Sequence, residues 1–141
     1  MRIRWFIASV LIANSSAASA SDPACAAYEP AVTTVTGKLE RRTYPGPPNY
    51  ESVQAGDDAE TGLYLHLASP VCINATPGDE INREQRDVLV IQLNLDAEQY
   101  AALRPLLGKT ITLRGTLYAA HTAHHHAPSV LNFAGTIQAG E

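Results

Sequence analysis

The residues best suited to chemistry in this sequence are four histidines close together in the run His121-Thr122-Ala123-His124-His125-His126. Neutral imidazole is a common ligand of zinc and copper. His121 and His124 can meet on one turn, and His124 and His126 share a face if the segment is extended. One candidate function is therefore a zinc or copper site formed by His121, His124, His125 and His126. In the alternative interpretation, these histidines hold a loop by bonding backbone carbonyls, or cover a polar surface.

A second group of residues surrounds a proline-rich turn. Tyr44 and Tyr50 flank the turn, and Arg41 and Arg42 come just before it. Aromatic rings and guanidinium groups on a stiff loop suit contacts with a ligand or a protein. The alternative is that this loop packs its own tyrosines against the fold.

Signatures of catalysis are absent from the sequence. It contains no Gly-x-Ser-x-Gly, no His-Glu-x-x-His and no glycine-rich phosphate loop. Asp57, Asp58 and Glu60 are acidic neighbours, and we expect them to stay solvated rather than to form an acid–base pair. We predict that the protein is not an enzyme and needs no cofactor, apart from the possible zinc or copper.

The first 20 residues have the composition of a secretory signal peptide. Arg2 and Arg4 precede the apolar run Trp5–Ala13, and Ala18-Ser19-Ala20 fits a cleavage site. This predicts a periplasmic or secreted protein; the alternative is an anchor helix that is never cut. No later apolar stretch approaches the ~20 residues of a membrane helix, so we predict no span in the mature chain.

The net charge limits the classes of partner that the sequence favours, and the cysteines indicate the cell compartment. Losing Arg2 and Arg4 with the signal peptide takes the net charge from −4 to −6, which disfavours nucleic acid as a partner. In an oxidising compartment, Cys25 and Cys72 are expected to form a disulfide. This bond would fix an N-terminal arm, residues 21–31, to the body of the protein.

Alternating apolar residues predict five strands in one domain, residues 32–141. The predicted strands are Val32–Thr43, Gly62–Leu67, Asp87–Leu95, Thr110–Tyr118 and Ser129–Ile137. In the second strand, Tyr64 and His66 should face outward; in the third, Leu89, Ile91, Leu93 and Leu95 should face inward. Asp96 is expected to cap a short helix, Ala97–Leu103, between the third and fourth strands.

This order indicates a mainly β fold, a small five-stranded antiparallel barrel with the helix closing one end. A three-stranded sheet packed on a helix is the alternative. The run Gly108–Leu117 resembles the fourth strand of an OB-fold, and Thr36–Leu39 resembles its bent first strand. Glycines in such positions allow the sharp coiling of a small barrel.

Three longer segments resemble an uncharacterised family of exported bacterial proteins known only as a domain of unknown function. They are Gly37–Ser52, Pro70–Asn74 and Leu106–Lys109 with His121–His126. The resemblance implies export and a shared fold, and it carries no activity and no functional residues.

OB-folds commonly bind ligands on strands 2–3 and on the loops joining strands 1–2 and 4–5. Here those loops are residues 44–61 and 119–128. By this analogy we predict a non-catalytic binding module for an envelope protein, a peptide or a saccharide. Its candidate ligand-binding residues are Arg41, Arg42, Tyr44, Tyr50, Tyr64 and His66.

Overall fold

The structure is a computed structural model that describes residue 22 and residues 24–139, with side chains through residue 135. In this part of the chain the elements are β1 (Ala26–Ala27), β2 (Val32–Pro45), β3 (Ala59–Asn74), β4 (Gln85–Asn94), α1 (Ala97–Leu103), β5 (Thr110–Ala119) and β6 (Ser129–Ala139). The five long strands and the helix confirm the predicted mainly β fold with one short helix after the third long strand. The predicted signal peptide, residues 1–20, lies outside the described residues.

The five long strands form a closed, OB-like barrel. β2 pairs antiparallel with β3 and β5, β3 with β4, and β5 with β6, whereas β6 closes the ring by pairing in parallel with β4. The expected antiparallel barrel is therefore correct except at β4–β6. A ring with an odd number of strands must contain at least one parallel pair, and here it is the closing one.

β2 pairs with two neighbours, and the two pairings overlap at Gly37 and Lys38. Its first half pairs with β5 and its second half with β3. A Cβ atom added at Gly37 would lie 2.7 Å from the backbone oxygen of His66. At Gly115 in β5, an added Cβ would lie 2.1 Å from the backbone oxygen of Asn132. Both positions need glycine because the strands coil too closely for any side chain.

The inward positions of the strands fill one hydrophobic core. Its strand residues include Val35, Leu39, Leu63, Leu65, Leu67, Ile91, Leu93, Ile111, Leu113, Leu117, Leu131 and Phe133. α1 adds the buried Leu103 to this core. The helix begins where predicted, because the Asp96 carboxylate accepts from the Gln99 N–H and the Gln99 side chain accepts from the Asp96 N–H.

The predicted inward face of β4 is wrong at Leu89. Leu89 is 40% exposed, and Val88 is buried in its place. The pairing of β3 with β4 shifts between the His66–Val90 and Val71–Val88 pairs, which breaks the two-residue alternation. Ile91 and Leu93 lie inward as predicted.

The predicted disulfide joins Cys25 to Cys72, across a sequence separation of 47. Next to it, β1 pairs in parallel with the end of β3. The Asn74 amide donates to the backbone oxygen of Asp22 at 2.7 Å and adds a second tie. The arm is therefore fixed to the barrel. No helix within the described residues is long and apolar enough to cross a membrane.

Two loops matter for function. The β2–β3 loop comprises residues 46–58, which is shorter than the predicted 44–61 because both flanking strands extend further. The β5–β6 loop comprises residues 120–128 and contains four histidines. Both connect antiparallel neighbours of the barrel.

Candidate functional site

The β2–β3 loop and the β5–β6 loop meet at the rim of the barrel. The Tyr50 hydroxyl lies 3.5 Å from His124 Nε2, and the two rings meet edge to face. Tyr44 stacks on His126 with ring centroids 4.6 Å apart and an interplanar angle of 7°. These four residues and Glu60 form one continuous surface, which we call the rim cluster.

Glu60, at the start of β3, anchors the two imidazoles of the rim cluster. Its Oε1 accepts from His124 Nδ1 at 2.5 Å, and its Oε2 accepts from His126 Nε2 at 2.7 Å. Burial alone would raise the pKa of Glu60, but the hydrogen bonds from His126 and His124 outweigh it and lower the pKa. The His126 side chain is 13% exposed and that of His124 is 61% exposed. His126 is thus packed into the surface, while His124 faces solvent.

Gln92 in β4 fixes the backbone of the same loop. Its amide nitrogen donates to the backbone oxygen of His124 at 3.0 Å, and its amide oxygen accepts from the His126 N–H at 2.7 Å. The loop is therefore held on β4 through its main chain and on β3 through its side chains.

Asp57 fixes the β2–β3 loop from within. Its carboxylate accepts from the backbone N–H groups of Asn49, Glu51 and Ser52 at 2.8–3.0 Å. The bonds from Ser52, Glu51 and Asn49 lower the pKa of Asp57 to about 2. Between these donors lies Tyr50, whose φ of 59° is uncommon for a residue with a side chain. The carboxylate thereby holds the turn that presents Tyr50 to His124.

Two sequence predictions about this region are wrong. Asp57 was expected to be solvated, yet it is 6% exposed because the loop wraps around it. Tyr64 was expected to be exposed on the outer face, yet it is 1% exposed. Tyr44 covers Tyr64 with ring centroids 5.6 Å apart, and the Arg42 guanidinium lies 5.8 Å from its ring centroid. Burial raises the pKa of Tyr64 to about 12. Tyr64 thus supports the surface from beneath.

Arg42 and His66 belong to a separate ion-pair group on Glu40. The Arg42 guanidinium donates to Glu40 Oε2 from two nitrogens, at 2.7 and 3.1 Å, and His66 Nδ1 lies 3.4 Å from Glu40 Oε1. His66 therefore does not join the histidines of the β5–β6 loop. Arg41 is exposed beside this group.

The structure divides the four loop histidines into two pairs. His124 and His126 lie on Glu60, whereas His121 and His125 lie against Tyr118. His121 Nδ1 donates to the backbone oxygen of Ala119 at 3.0 Å, and the His121 N–H donates to His125 Nδ1 at 3.1 Å. The bond to the Ala119 carbonyl is of the kind that the alternative interpretation of the histidines expected.

The divided histidines do not form a ready metal centre. Among the described residues, three potential ligand atoms lie within 4.8 Å of one another only at Asp22, Cys25 and Cys72. Both of those cysteines are used in the disulfide. A zinc or copper ion would have to move the two histidine pairs toward each other.

A shallow surface pocket of about 260 Å³ opens at the rim cluster. It is lined by Glu60, Thr61, Gly62, Tyr64, Gln92, His124 and His126. The lining offers hydrogen-bond donors and acceptors beside aromatic surface. Such a site suits a polar ligand with apolar faces.

Sequence reasoning missed Glu60 and Gln92 as parts of the site. A usable signal existed for Glu60, because extending the alternation of Tyr64 and His66 by four residues toward the N-terminus places Glu60 on the same face. Gln92 was placed outward correctly, but nothing in the sequence pairs it with the β5–β6 loop.

Comparison with known proteins gives a family but no activity. Residues 90–137 match the family described as "Domain of unknown function (DUF4431)". The matched range runs from β4 into β6 and includes the β5–β6 loop. The prediction of a domain family without an assigned function agrees with this match, which covers less than half of the chain. No curated protein and no solved structure matches the chain.

Proposed function

We propose that the chain is an exported, non-catalytic binding module whose ligand contacts the rim cluster and the exposed residues next to it. The observation that carries this proposal is the contact of the β5–β6 loop with the β2–β3 loop, where Tyr50 meets His124, and with the end of β2, where Tyr44 stacks on His126. In an OB-like barrel, ligands commonly lie where the equivalent loops converge. The ligand class is inferred from the chemistry of the surface and from this analogy.

The exposed groups favour a polar, uncharged or weakly charged ligand. Arg41 and His124 are exposed, Tyr50 is partly exposed, and Glu60 and Gln92 line the pocket together with His124. A saccharide, a peptide or a protein loop offers the hydroxyl and amide groups that these side chains bond. The net charge of −4 supports the exclusion of nucleic acid.

Export rests on two features. The composition of residues 1–20 is that of a signal peptide. The Cys25–Cys72 disulfide is a bond that persists in oxidising compartments such as the periplasm or the exterior. Both favour a periplasmic or secreted protein. Fractionation of cells that express the full chain would test this, and recovery in the cytoplasm with residues 1–20 intact would reject it.

The binding proposal is tested by titrating the purified protein with defined probes under NMR detection. The probes are a trisaccharide of N-acetylglucosamine and an uncharged tetrapeptide, and a parallel pull-down from an envelope extract searches for protein partners. We expect at least one probe or captured partner to bind saturably and to shift the backbone amide signals of residues 46–58 and 120–128.

Matched variants make this test specific. The double substitution Tyr50→Ala/His124→Ala removes the two exposed rings of the rim cluster, and Arg104→Ala changes an exposed residue after α1. We expect the double variant to lose about tenfold or more in affinity, as is typical of aromatic contacts at a binding centre. Equal binding by all three proteins, with unchanged thermal stability, would reject the rim cluster as the site.

The alternative function, zinc or copper binding, is favoured by one observation. His121 donates its Nδ1–H to the Ala119 backbone oxygen, which leaves its Nε2 available. His124 likewise donates its Nδ1–H to Glu60, and its Nε2 lies 3.5 Å from the Tyr50 hydroxyl. Histidine ligands of metals commonly show this pattern. Because the pairs are separate, binding would require the loop to rearrange.

Calorimetric titration of tag-free protein with zinc and with copper tests this alternative. If the site exists, the protein binds with a dissociation constant below about 0.1 mM, and replacing His121, His124, His125 and His126 by alanine abolishes binding. Weaker binding, or binding unchanged in the variant, would remove it. Titration of the wild-type protein with magnesium, under the same conditions, serves as the control.

A further inference from the structure

A second pocket lies on the other side of the β5–β6 loop. It has a volume of about 310 Å³ and is lined by Glu29, Asn94, Tyr118, His121, Thr122, His125 and Asn132. None of these residues belongs to the rim cluster. The β5–β6 loop and β4 contribute to both pockets, through different residues.

Three aromatic rings form one wall of this second pocket. The ring centroids of Tyr118 and His121 are 5.6 Å apart, those of Tyr118 and His125 are 5.5 Å apart, and those of His121 and His125 are 4.8 Å apart. The interplanar angles of the three pairs lie between 58° and 71°. A group placed over this triangle can lie within ~6 Å of all three centroids, the range of cation–π attraction.

The rest of the pocket lining carries a negative group, Glu29, and two amides, Asn94 and Asn132. Within the described part of the chain, the Glu29 carboxylate forms no salt bridge, and Glu29 is exposed. Burial and the nearby Glu29 carboxylate raise the pKa of Tyr118, which places that charge close to the ring. Asn94 donates to Asn132 at 2.8 Å, which fixes both amides beside the pocket.

We infer that this second pocket binds an organic ammonium group, with its charge over the rings of Tyr118, His121 and His125 and against the Glu29 carboxylate. Aromatic rings that meet at large angles, with a carboxylate beside them, form a surface that attracts organic cations. The shape of the site is held locally, because the His121 N–H donates to His125 Nδ1 and His121 Nδ1 donates to the Ala119 carbonyl. The protein thus carries two separate sites, one on each side of the β5–β6 loop.

Two kinds of ammonium satisfy this chemistry, a primary amine such as a lysine side chain and a quaternary amine such as a choline group. The probes are therefore Nα-acetyl-lysine amide, its ε-trimethyl derivative, and the uncharged Nα-acetyl-norleucine amide. Each is titrated into the full protein at pH 8, where an ordinary imidazole is neutral, with amide NMR shifts as the readout. We expect millimolar, saturable binding of a cationic probe that shifts Tyr118, His121 and His125, and no saturation by the norleucine derivative.

The variants separate the contributions of the ring and the charge. Tyr118→Leu and Glu29→Gln should each weaken binding of the cationic probe about fivefold, while Tyr118→Phe keeps it within about twofold. Glu98→Gln, the same change on the exposed face of α1, is the charge control and should have no effect. If the lysine derivative binds and the trimethyl derivative does not, hydrogen bonding to Glu29 selects a primary amine; the reverse order indicates a quaternary one.

Three results would overturn the inference. They are equal binding of the norleucine derivative, no saturable shift with either cation, and unchanged binding in both Glu29→Gln and Tyr118→Leu. Glu29 is exposed, so its variant stays informative if Tyr118→Leu fails to fold. None of these residues belongs to the rim cluster, and Tyr50→Ala/His124→Ala is expected to leave ammonium binding intact, so the two proposals fail independently.

Discussion

The two loops of the rim are held in opposite ways. The β2–β3 loop is organised by its own Asp57, which accepts three backbone N–H groups from the same loop. The β5–β6 loop has a local hydrogen bond from the His121 N–H to His125, but its segment 124–126 is held from outside, by Gln92 in β4 and by Glu60 in β3. A loop of the first kind keeps its shape independently of its surroundings, whereas one of the second kind depends on side chains of the barrel.

This difference assigns different roles to the loops. The β2–β3 loop presents Tyr50 from a fixed turn, so its contribution to a ligand site is formed before binding. The β5–β6 loop is tied through a few exposed or half-buried groups, and such regions open at low free-energy cost. We therefore expect the β5–β6 loop to adjust to a ligand and the β2–β3 loop to act as its template.

The largest effect should come from Asp57→Ala. It removes the carboxylate that accepts from the N–H groups of Asn49, Glu51 and Ser52, and hydrogen bonds to a charged acceptor are roughly twice as strong as neutral ones. We expect a melting temperature lower by several degrees and loss of protection from hydrogen exchange across residues 49–52. Asp58→Ala, the exposed neighbour, is the control. Matching melting curves for the two variants would show that the β2–β3 loop is not organised by Asp57.

The second prediction concerns acid pH. The pKa of Asp57 is about 2 in the folded protein against 3.8 ordinarily, so between these values the unfolded chain binds more protons than the folded one. The stabilisation from Asp57 is therefore complete above pH ~4 and is lost as the pH falls through about 2. Thermal melts from pH 5 to pH 2 should show a steeper decline in wild type than in Asp57→Asn. Parallel declines would contradict the prediction.

A smaller and local effect is expected from Glu60→Gln. The change removes the charge that accepts from His124 and His126 and keeps the size of the side chain. Because His124 is largely exposed, we expect a global stability change below about 1 kcal/mol. Hydrogen exchange in residues 122–126 should accelerate about two- to fivefold, while residues 49–52 keep their protection. Acceleration in both loops would show that they are not held independently.

The smallest effect is expected from Gly46→Ala, which tests the contact between the loops. A Cβ at Gly46 would lie 2.6 Å from Glu60 Cγ, so the Glu60 side chain must shift. We expect hydrogen exchange in residues 122–126 to accelerate, by less than in Glu60→Gln, while the turn around Asp57 is unchanged. Combining both substitutions should add nothing to Glu60→Gln alone. If the effects of the two substitutions add, Gly46 does not act through Glu60.

The sequence predicted the barrel well because the barrel depends on a local, repeated signal. Apolar residues at every second position identified all five long strands, and Asp96 with Gln99 marked the start of α1. The same signal failed at Leu89, where a shift in strand pairing breaks the repeat. A local pattern cannot register such a shift, because the shift depends on the neighbouring strand.

The candidate site was less predictable, because its contacts join residues far apart in the chain. Alternation assigned Tyr64 to the outer face, but only the folded chain brings Tyr44 and Arg42 over it. The histidines were correctly identified as unusual, yet their division into two pairs depends on where β3 and β5 place Glu60 and Tyr118.

The sequence alone determined the number of long strands, the helix cap, the disulfide partners and the positions of the β2–β3 and β5–β6 loops. Each follows from side-chain type and near-neighbour spacing. Tertiary structure decided which side chains of those loops are exposed and which are packed together, because burial and hydrogen bonding depend on atoms brought together from distant parts of the chain. Asp57 and Glu60 illustrate this: both are carboxylates of one acidic stretch, and only folding makes one the centre of its own loop and the other the anchor of a different loop.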